Sequence, residues 1–304
     1  IIFNGRNAWL AITRDVTERK KAEEKITQQR DIIEAKNKDI TDSINYAKRI
    51  QQATLPSEIQ LKETFDDHFV FFRPKDIVSG DFYWSAKLPD GRFLLATADS
   101  TGHGVPGAIM SLLNITSLEK AIETFTEPSK ILNSTRKIII ERLKKDGSPD
   151  GGKDGMDCSL ISLNLETLKL QVAAALNPVW IIRKTTHPKG SISDKMTETP
   201  DPIVIEIKPD KMPVGKHEMQ HLPFTQHEIN LEKGDVIYTL TDGFPDQFGG
   251  EKGKKFMIKN LRDLLVKNSN LPMKDQKIIL EKTFTSWAGD LEQVDDVTLV
   301  GIRI

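Results

Sequence analysis

Ala98–Leu113 reads A-D-S-T-G-H-G-V-P-G-A-I-M-S-L-L, and the other segments take their meaning from it. The apolar, β-type run Arg92–Ala98 predicts a strand that carries Asp99 to its end. A turn follows through Gly102, Gly104 and Gly107, residues that let backbone approach a ligand closely. Pro106 stands where a helix begins, a position at which its missing N–H costs nothing. Ala108–Glu123 then predicts a largely apolar helix. A carboxylate at the mouth of such a turn points to a hard metal ion or a phosphate site. Gly102–Gly107 also spells G-x-G-x-x-G, the dinucleotide fingerprint. That reading needs a returning parallel strand ending in an acid about 20 residues on. Here a second helical stretch, Pro128–Lys145, follows instead. The plainest alternative is a strand-to-helix corner with no ligand.

Composition narrows the choice. The 304 residues are 38% hydrophobic and 29% charged, enough for one large domain plus a smaller element. A net charge of -1 provides no basic field to neutralise nucleic-acid phosphates. Cys158 is the sole cysteine, which excludes a disulfide framework or a Cys-based zinc site within the chain and predicts a reducing compartment, most simply cytoplasm. No run approaches the roughly 18 apolar residues of a membrane span. The chain starts at Ile1 and carries no signal-peptide pattern, so it reads as a fragment of a longer protein, with a membrane segment conceivable upstream.

Three regions follow in order. In residues 1–17, Asn4-Gly5 is a hairpin signal, and Trp9, Leu10, Ala11 and Ile12 continue a strand pattern. Asp15-Val-Thr-Glu-Arg-Lys-Lys-Ala-Glu resembles the end of a PAS sensor domain, where a last strand runs into an exported helix. Residues 18–56 are rich in Lys, Glu, Gln and Ile, and free of glycine, with Pro56 as the stop. Ile26, Ile33, Ile40 and Ala47 recur every seven residues; Ala22, Gln29, Ile44 and Gln51 fill much of a second stripe. This predicts a helical linker and a parallel homodimeric coiled coil through residues 18–55. A single helix packed on its own domain is the alternative.

Residues 57–304 predict short strands that mostly succeed one another directly, with helices at Ala108–Glu123, Pro128–Lys145, Phe256–Lys267 and Met273–Ala288. Strand candidates are His68–Arg73, Asp81–Lys87, Arg92–Ala98, Asp157–Leu165, Lys169–Ala175, Val179–Arg183, Ile203–Ile207, Phe224–Asn230, Asp235–Thr241 and Val297–Ile304. Antiparallel sheets with helices set to the outside, an α+β fold, follow from that order. Asp146–Gly155 and His187–Pro202 read as mobile polar loops.

Acids recur at the strand ends. Asp81 opens one strand, Asp99 ends another, Asp242 follows Val236–Thr241, Asp295-Asp296 precede the final strand, and Asp157 opens a fifth. Any one of these is ordinary turn chemistry. Gathered together without adjacent Lys or Arg, they would raise one another's pKa, and divalent cations would remove the repulsion. All-oxygen ligation selects Mg²⁺ or Mn²⁺ over zinc.

Ser79–Trp84 (S-G-D-F-Y-W), Ala98–Ala108, Thr241–Gly250 (T-D-G-F-P-D-Q-F-G-G) and Asp295–Ile302 (D-D-V-T-L-V-G-I) resemble, in order, the motifs of metal-dependent (type 2C, PPM) protein serine/threonine phosphatases. The likeness is specifically to their bacterial SpoIIE/RsbU-like branch. It implies a four-layer αββα sandwich of two antiparallel sheets over residues 57–304, and two Mn²⁺ or Mg²⁺ ions. By resemblance Asp99 bridges both ions, the Ser100 carbonyl and Asp81 add ligands, Asp242 and Asp295 complete the first ion, and Asp296 supports. Arg73 or Lys75 would meet the substrate phosphate, although their spacing departs from the family pattern. His103, four positions after Asp99 where eukaryotic members place a histidine at two, would protonate the leaving group. Asp157 would order the metal-side loop. Water attacks phosphorus directly in such a mechanism, which leaves Cys158 as a core residue. The expected substrate is a phosphoserine or phosphothreonine protein, by resemblance a STAS-type anti-sigma-factor antagonist.

His217-Glu-Met-Gln-His221 with His227 imitates a zinc-protease signature, but Pro213, Gly215 and Pro223 bracket it too tightly for the helix it requires. A rival of another class is a catalytically silent, dimeric scaffold. Retention of the four motif acids argues against that, because a scaffold does not need them.

Overall fold

A computed structural model describes residues 2–3, 6–7, 14–56, 58–144, 154–184 and 202–304. It divides into two compact units, residues 1–46 and 47–304. In the first, β1 (Ile2–Phe3) pairs antiparallel with β2 (Arg6–Asn7) on either side of Asn4-Gly5. The strand pattern expected at residues 9–12 lies outside the described residues, as does most of both polar loops. Helix α1 (Thr17–Thr54) starts after Asp15, whose carboxylate accepts the Thr17 N–H, and stops ahead of Pro56. Ile26, Ile33 and Ile40, one heptad apart, are 65%, 58% and 57% exposed, so no described part of the chain covers that stripe.

The second unit continues with α2 (Glu58–Thr64), β3 (His68–Arg73), β4 (Asp81–Lys87), β5 (Phe93–Ser100), α3 (Gly104–Ile122), α4 (Pro128–Leu143), β6 (Gly155–Asn164), β7 (Lys169–Ala175), β8 (Val179–Arg183) and β9 (Ile203–Ile207). Then come β10 (Val214–Gly215), β11 (His227–Asn230), β12 (Val236–Leu240), α5 (Gly243–Asp246), β13 (Phe248–Gly249), β14 (Lys254–Lys255), α6 (Ile258–Asn268), α7 (Met273–Ala288) and β15 (Val297–Arg303). One large sheet has the order β11-β7-β6-β5-β4, with β10 on β6; the other runs β3-β15-β12-β8-β9. Every strand pair within them is antiparallel.

Period two along the strands sorts their side chains into three cores. Phe82, Trp84, Leu94, Ala96, Ala98, Cys158 and Leu160 face Ile115, Leu118, Ile131, Leu132 and Ile139 of α3 and α4. The alternate residues Tyr83, Phe93, Leu95, Ile161 and Leu163 meet Val179, Ile181, Ile237 and Val300 of the opposite sheet. That sheet's outer face, with Phe71, Tyr238, Leu240, Val297 and Leu299, packs on Leu261, Leu265, Leu280 and Phe284 of α6 and α7. Three cores between four layers make the αββα sandwich. Each fully buried Leu, Ile or Phe in them contributes roughly 1.5–3 kcal/mol.

Several boundaries differ from the sequence expectation for local reasons. Helix α3 begins at Gly104, not Ala108, because Val105, Pro106 and Gly107 already take up its first turn behind His103. Strand β11 begins three residues after Phe224, whose ring lies under the Arg136 guanidinium (4.6 Å) and whose N–H bonds Asn133 of α4. Gln51 departs from the coiled-coil stripe expected of it: it is 4% exposed and bound inside the second unit. Strand β6 returns antiparallel to β5, which removes the parallel unit a dinucleotide site requires. His217–Leu222 forms consecutive turns, not a helix, so the zinc-protease imitation fails. No helix among the described residues is long and apolar enough to cross a membrane.

Candidate metal centre

Pairing across three neighbouring strands puts Asp81 opposite Asp99, and Asp99 opposite Asp157. Partners directly opposite share a face, here the face toward the second sheet, since Thr97, two residues before Asp99, meets Thr239 at 2.6 Å. Asp242 follows β12 and Asp295-Asp296 precede β15, so the second sheet sends its acids to the same edge of the sandwich. Asp99 feels Asp81, Asp242, Asp295 and Asp157 as like charges. Acids separated by up to 214 positions in sequence, Asp81 to Asp295, are thereby collected at one place.

The backbone there is packed too closely for side chains. A Cβ on Gly80 or Gly107 would strike the Gly102 carbonyl oxygen, and Gly102 itself holds a φ of +88°. These glycines press the Asp81 loop against the turn after Asp99. Asn114 of α3 donates from Nδ2 to Ser100 Oγ (3.0 Å) and to the Gly155 carbonyl (3.2 Å). Thr101 and Gly155 exchange further bonds, Thr101 N–H to Gly155 O at 3.1 Å and Gly155 N–H to Thr101 Oγ1 at 3.0 Å. Asp296 accepts the Lys75 N–H and the Gly80 N–H, each at 2.7 Å, one on each carboxylate oxygen. Its visible work is to fasten the 75–80 loop to the start of β15.

Electrostatics single the cluster out. Burial, more than any neighbour, lifts the Asp99 carboxyl to about 10, and the four carboxylates add to it. Asp157 rises to about 6 through burial and then Asp242. Burial drives Asp81 well up although Thr241 and Thr298 hydroxyls donate to its Oδ2 at 2.7 and 2.8 Å. Asp242 and Asp295 are also raised, first by burial. Asp99, Ser100, Thr101, Gly102, His103, Asp157 and Asp295 line an open cavity of about 190 Å³.

Among the described residues, no three His, Cys, Asp or Glu side chains stand close enough to cage one ion. An all-oxygen set of mutually repelling carboxylates fits Mg²⁺ or Mn²⁺ nonetheless, because such ions keep several waters and a carboxylate can reach the ion through one of them. The two phosphate candidates separate. Lys75 acts as a positive neighbour on Asp295. Arg73 instead donates to Thr285 Oγ1 at 3.2 Å, lies over the Phe284 ring at 5.1 Å and lines a different cavity with Lys277 and Glu281. Cys158 is fully buried, and burial raises its thiol, as a core residue requires.

Sequence reasoning passed over Asn114, Thr241 and Thr298, and assigned Gln51 to the coiled-coil stripe. Asn114 carried a signal, a polar residue inside the apolar run Ile109–Leu118; the others are ordinary in their local context. Gln51 donates from Nε2 to the Ser79 carbonyl (2.5 Å) and Ser111 Oγ (2.9 Å), and its Oε1 accepts the Ser79 N–H (3.1 Å).

Comparison with known proteins agrees with this arrangement. The solved SiaA-PP2C domain of Pseudomonas aeruginosa superposes with a TM-score of 0.75 at 29% identity, over 89% of this chain and 99% of that one. RsbX, solved in complex with magnesium, superposes with a TM-score of 0.51 at 15% identity over 78% of this chain and 94% of that one; at that identity the likeness is one of fold, and the magnesium is that protein's. Phosphoserine phosphatase RsbU of Bacillus subtilis (strain 168) is 23% identical over 216 residues, 71% of this chain and 57% of that protein. The family model of stage II sporulation protein E (SpoIIE) matches residues 89–304, and on that match this chain belongs to the SpoIIE family.

Proposed function

We propose that this chain is a metal-dependent protein serine/threonine phosphatase acting on phosphoserine or phosphothreonine of a partner protein. The observation that carries it is the collection of Asp81, Asp157, Asp242 and Asp295 as like charges on Asp99, with Asp99, Asp157 and Asp295 lining one cavity. Two Mn²⁺ or Mg²⁺ ions bound there would supply water activation and charge neutralisation at the phosphoryl group. In this reading Asp99 would serve both ions, Asp81 and the Ser100 carbonyl would hold one, and Asp242 and Asp295 the other, in part through water. Asp296 holds the loop, and Asp157 orders the far wall. Lys75 orients the phosphate; Arg73 would have to leave Thr285 to join it. His103, on the cavity wall, delivers the proton to the departing serine oxygen.

We place the protein in the cytoplasm, on its single buried thiol. We take its substrate to be a STAS-type anti-sigma-factor antagonist, from the SpoIIE membership and the likeness to RsbU. The exposed Ile26, Ile33 and Ile40 stripe supports a homodimeric coiled coil within residues 18–55, joined to residues 1–17 as a sensor remnant. Gln51 supports regulation through the same helix, since its amide holds the backbone at Ser79, two residues from Asp81. The test is hydrolysis of a phosphoserine peptide with and without Mn²⁺, beside Asp242→Asn. Turnover that needs Mn²⁺ and vanishes in the variant supports the enzyme; none in either leaves the scaffold.

A further inference from the structure

Among the described residues His103 is the one imidazole on the cavity wall, and little holds its ring in place. Its side chain is 57% exposed, and as the residue before α3 it makes no capping hydrogen bond. One contact fixes it: Nδ1 stands 3.0 Å from Oδ2 of Asp76. A carboxylate only accepts, so the proton of that bond resides on Nδ1, and Nε2 is left on the opposite edge of the ring. The surroundings are built for the contact. Asp76 follows Lys75, whose N–H is pinned by Asp296, on the loop that also leads to Gly80 and Asp81. On the other side Gly104 holds a φ of +62°, and a Cβ there would come within 3.1 Å of the same Asp76 oxygen. Glycine at 104 therefore leaves room for the carboxylate beside the imidazole.

We propose that Asp76 is a positioning residue for the proton donor His103, aiming Nε2 at the leaving oxygen of a phosphoserine substrate. The inference rests on the phosphatase reading above and adds a partner that neither the sequence motifs nor the family likeness supplied. In the step concerned, a water oxygen forms the new bond to phosphorus and gives up a proton to solvent. The bond from phosphorus to the serine oxygen breaks, and its electron pair stays with that oxygen. The oxygen takes the Nε2 proton of the His103 imidazolium, giving a serine hydroxyl and inorganic phosphate. Neutral His103, still donating from Nδ1 to Asp76, regains its Nε2 proton from solvent. Asp76 takes up no proton in this step and touches no reacting atom, a role like that of the orienting aspartate of a serine-protease triad.

The test uses leaving groups of different basicity on the 304-residue chain with Mn²⁺. A serine alkoxide is a strong base and needs the proton; p-nitrophenolate is a weak base and departs without it. Asp76→Asn should lower kcat on a phosphoserine peptide about tenfold to a hundredfold, while kcat on p-nitrophenyl phosphate stays within about threefold. His103→Gln should show the same split. The double variant should be no slower than the worse single, because the two groups act as one unit. Asp76→Glu should recover part of the loss. Equal losses on both substrates, no loss, or additive losses would overturn the proposal. A readout without turnover accompanies this. In ¹⁵N spectra of histidine-labelled, metal-free chain at a pH where the ring is neutral, His103 should carry its proton on Nδ1 and lose that preference in Asp76→Ala. An unchanged tautomer overturns the contact. A wild type that hydrolyses neither substrate would instead sink the phosphatase reading, with the tautomer still deciding whether Asp76 sets the ring.

Discussion

Strand β12 has an aspartate at each end, and the two live differently. Asp235, ahead of the strand, has a side chain only 1% exposed and is gripped by Arg183, whose Nε and Nη2 reach its oxygens at 3.0 and 2.7 Å. It also accepts the Glu232 N–H at 2.8 Å. Asp242, after the strand, forms no ion pair with any described residue, and burial and Asp246 raise its carboxyl. A buried acid with a bidentate arginine is finished as structure. A solvent-reached acid crowded by Asp246 and Asp295 is suited to a positive charge from outside the chain. The surroundings, rather than the residue type, separate frame from site.

The sharpest way to break this contrast is to substitute at both ends. Asp242→Asn should cut Mn²⁺-supported turnover at least about a hundredfold while leaving the metal-free melting temperature level or higher. Arg183→Met should do the reverse. Stranding Asp235 costs about 2–4 kcal/mol, seen as a fall of roughly 5–15 °C by calorimetry, with turnover per folded molecule unchanged. Comparable loss of turnover in both variants would erase the distinction.

Titration sharpens it next. The clustered carboxyls are raised on folding, so the folded chain holds their protons more tightly than the unfolded chain does. Their stabilising contribution is full below the ordinary value of 3.8 and fades as pH rises through the folded values, about 6 for Asp157 and about 10 for Asp99. The metal-free melting temperature should therefore drop between about pH 5 and pH 9. Mn²⁺ at roughly a hundredfold over its Kd should add about 2.7 kcal/mol, a rise of roughly 5–10 °C, and flatten the slope. A pH-independent melt that ignores Mn²⁺ would mean the acids are already neutralised within the chain.

The same contrast of satisfied and waiting groups extends to α1. Gln51 is fully engaged, so Gln51→Ala should strand the Ser79 backbone groups, cost about 1–3 kcal/mol and slow turnover about tenfold. Gln29, on the proposed coiled-coil stripe, is exposed. Gln29→Ile should strengthen self-association in sedimentation experiments and shift basal turnover by no more than about threefold, the smallest effect expected.

Much of this was legible before any coordinates. Strand positions followed from alternation and turn residues, and the acids from their recurrence beside glycine at strand ends. The side chains that hold the site were not. Gln51 bonds Ser79 and Ser111 across 28 and 60 positions, and Asp296 reaches Gly80 across 216. No local pattern encodes such partners. Asp76 sat unnoticed between Lys75 and Ser79 because an acid in a turn is unremarkable until its neighbour in space is known. The one-turn α5 was hidden likewise, since Gly243-Phe-Pro-Asp246 reads as a plain turn.

Strand β15, the last element described, is an inner strand of its sheet, between the edge strand β3 and β12. During synthesis, β3 and β12 therefore wait with bare edges until residues 297–303 have left the ribosome, and a chaperone has reason to hold them. Asp295 and Asp296 arrive with that strand. A product truncated before it would lack both acids as well as leave those edges bare.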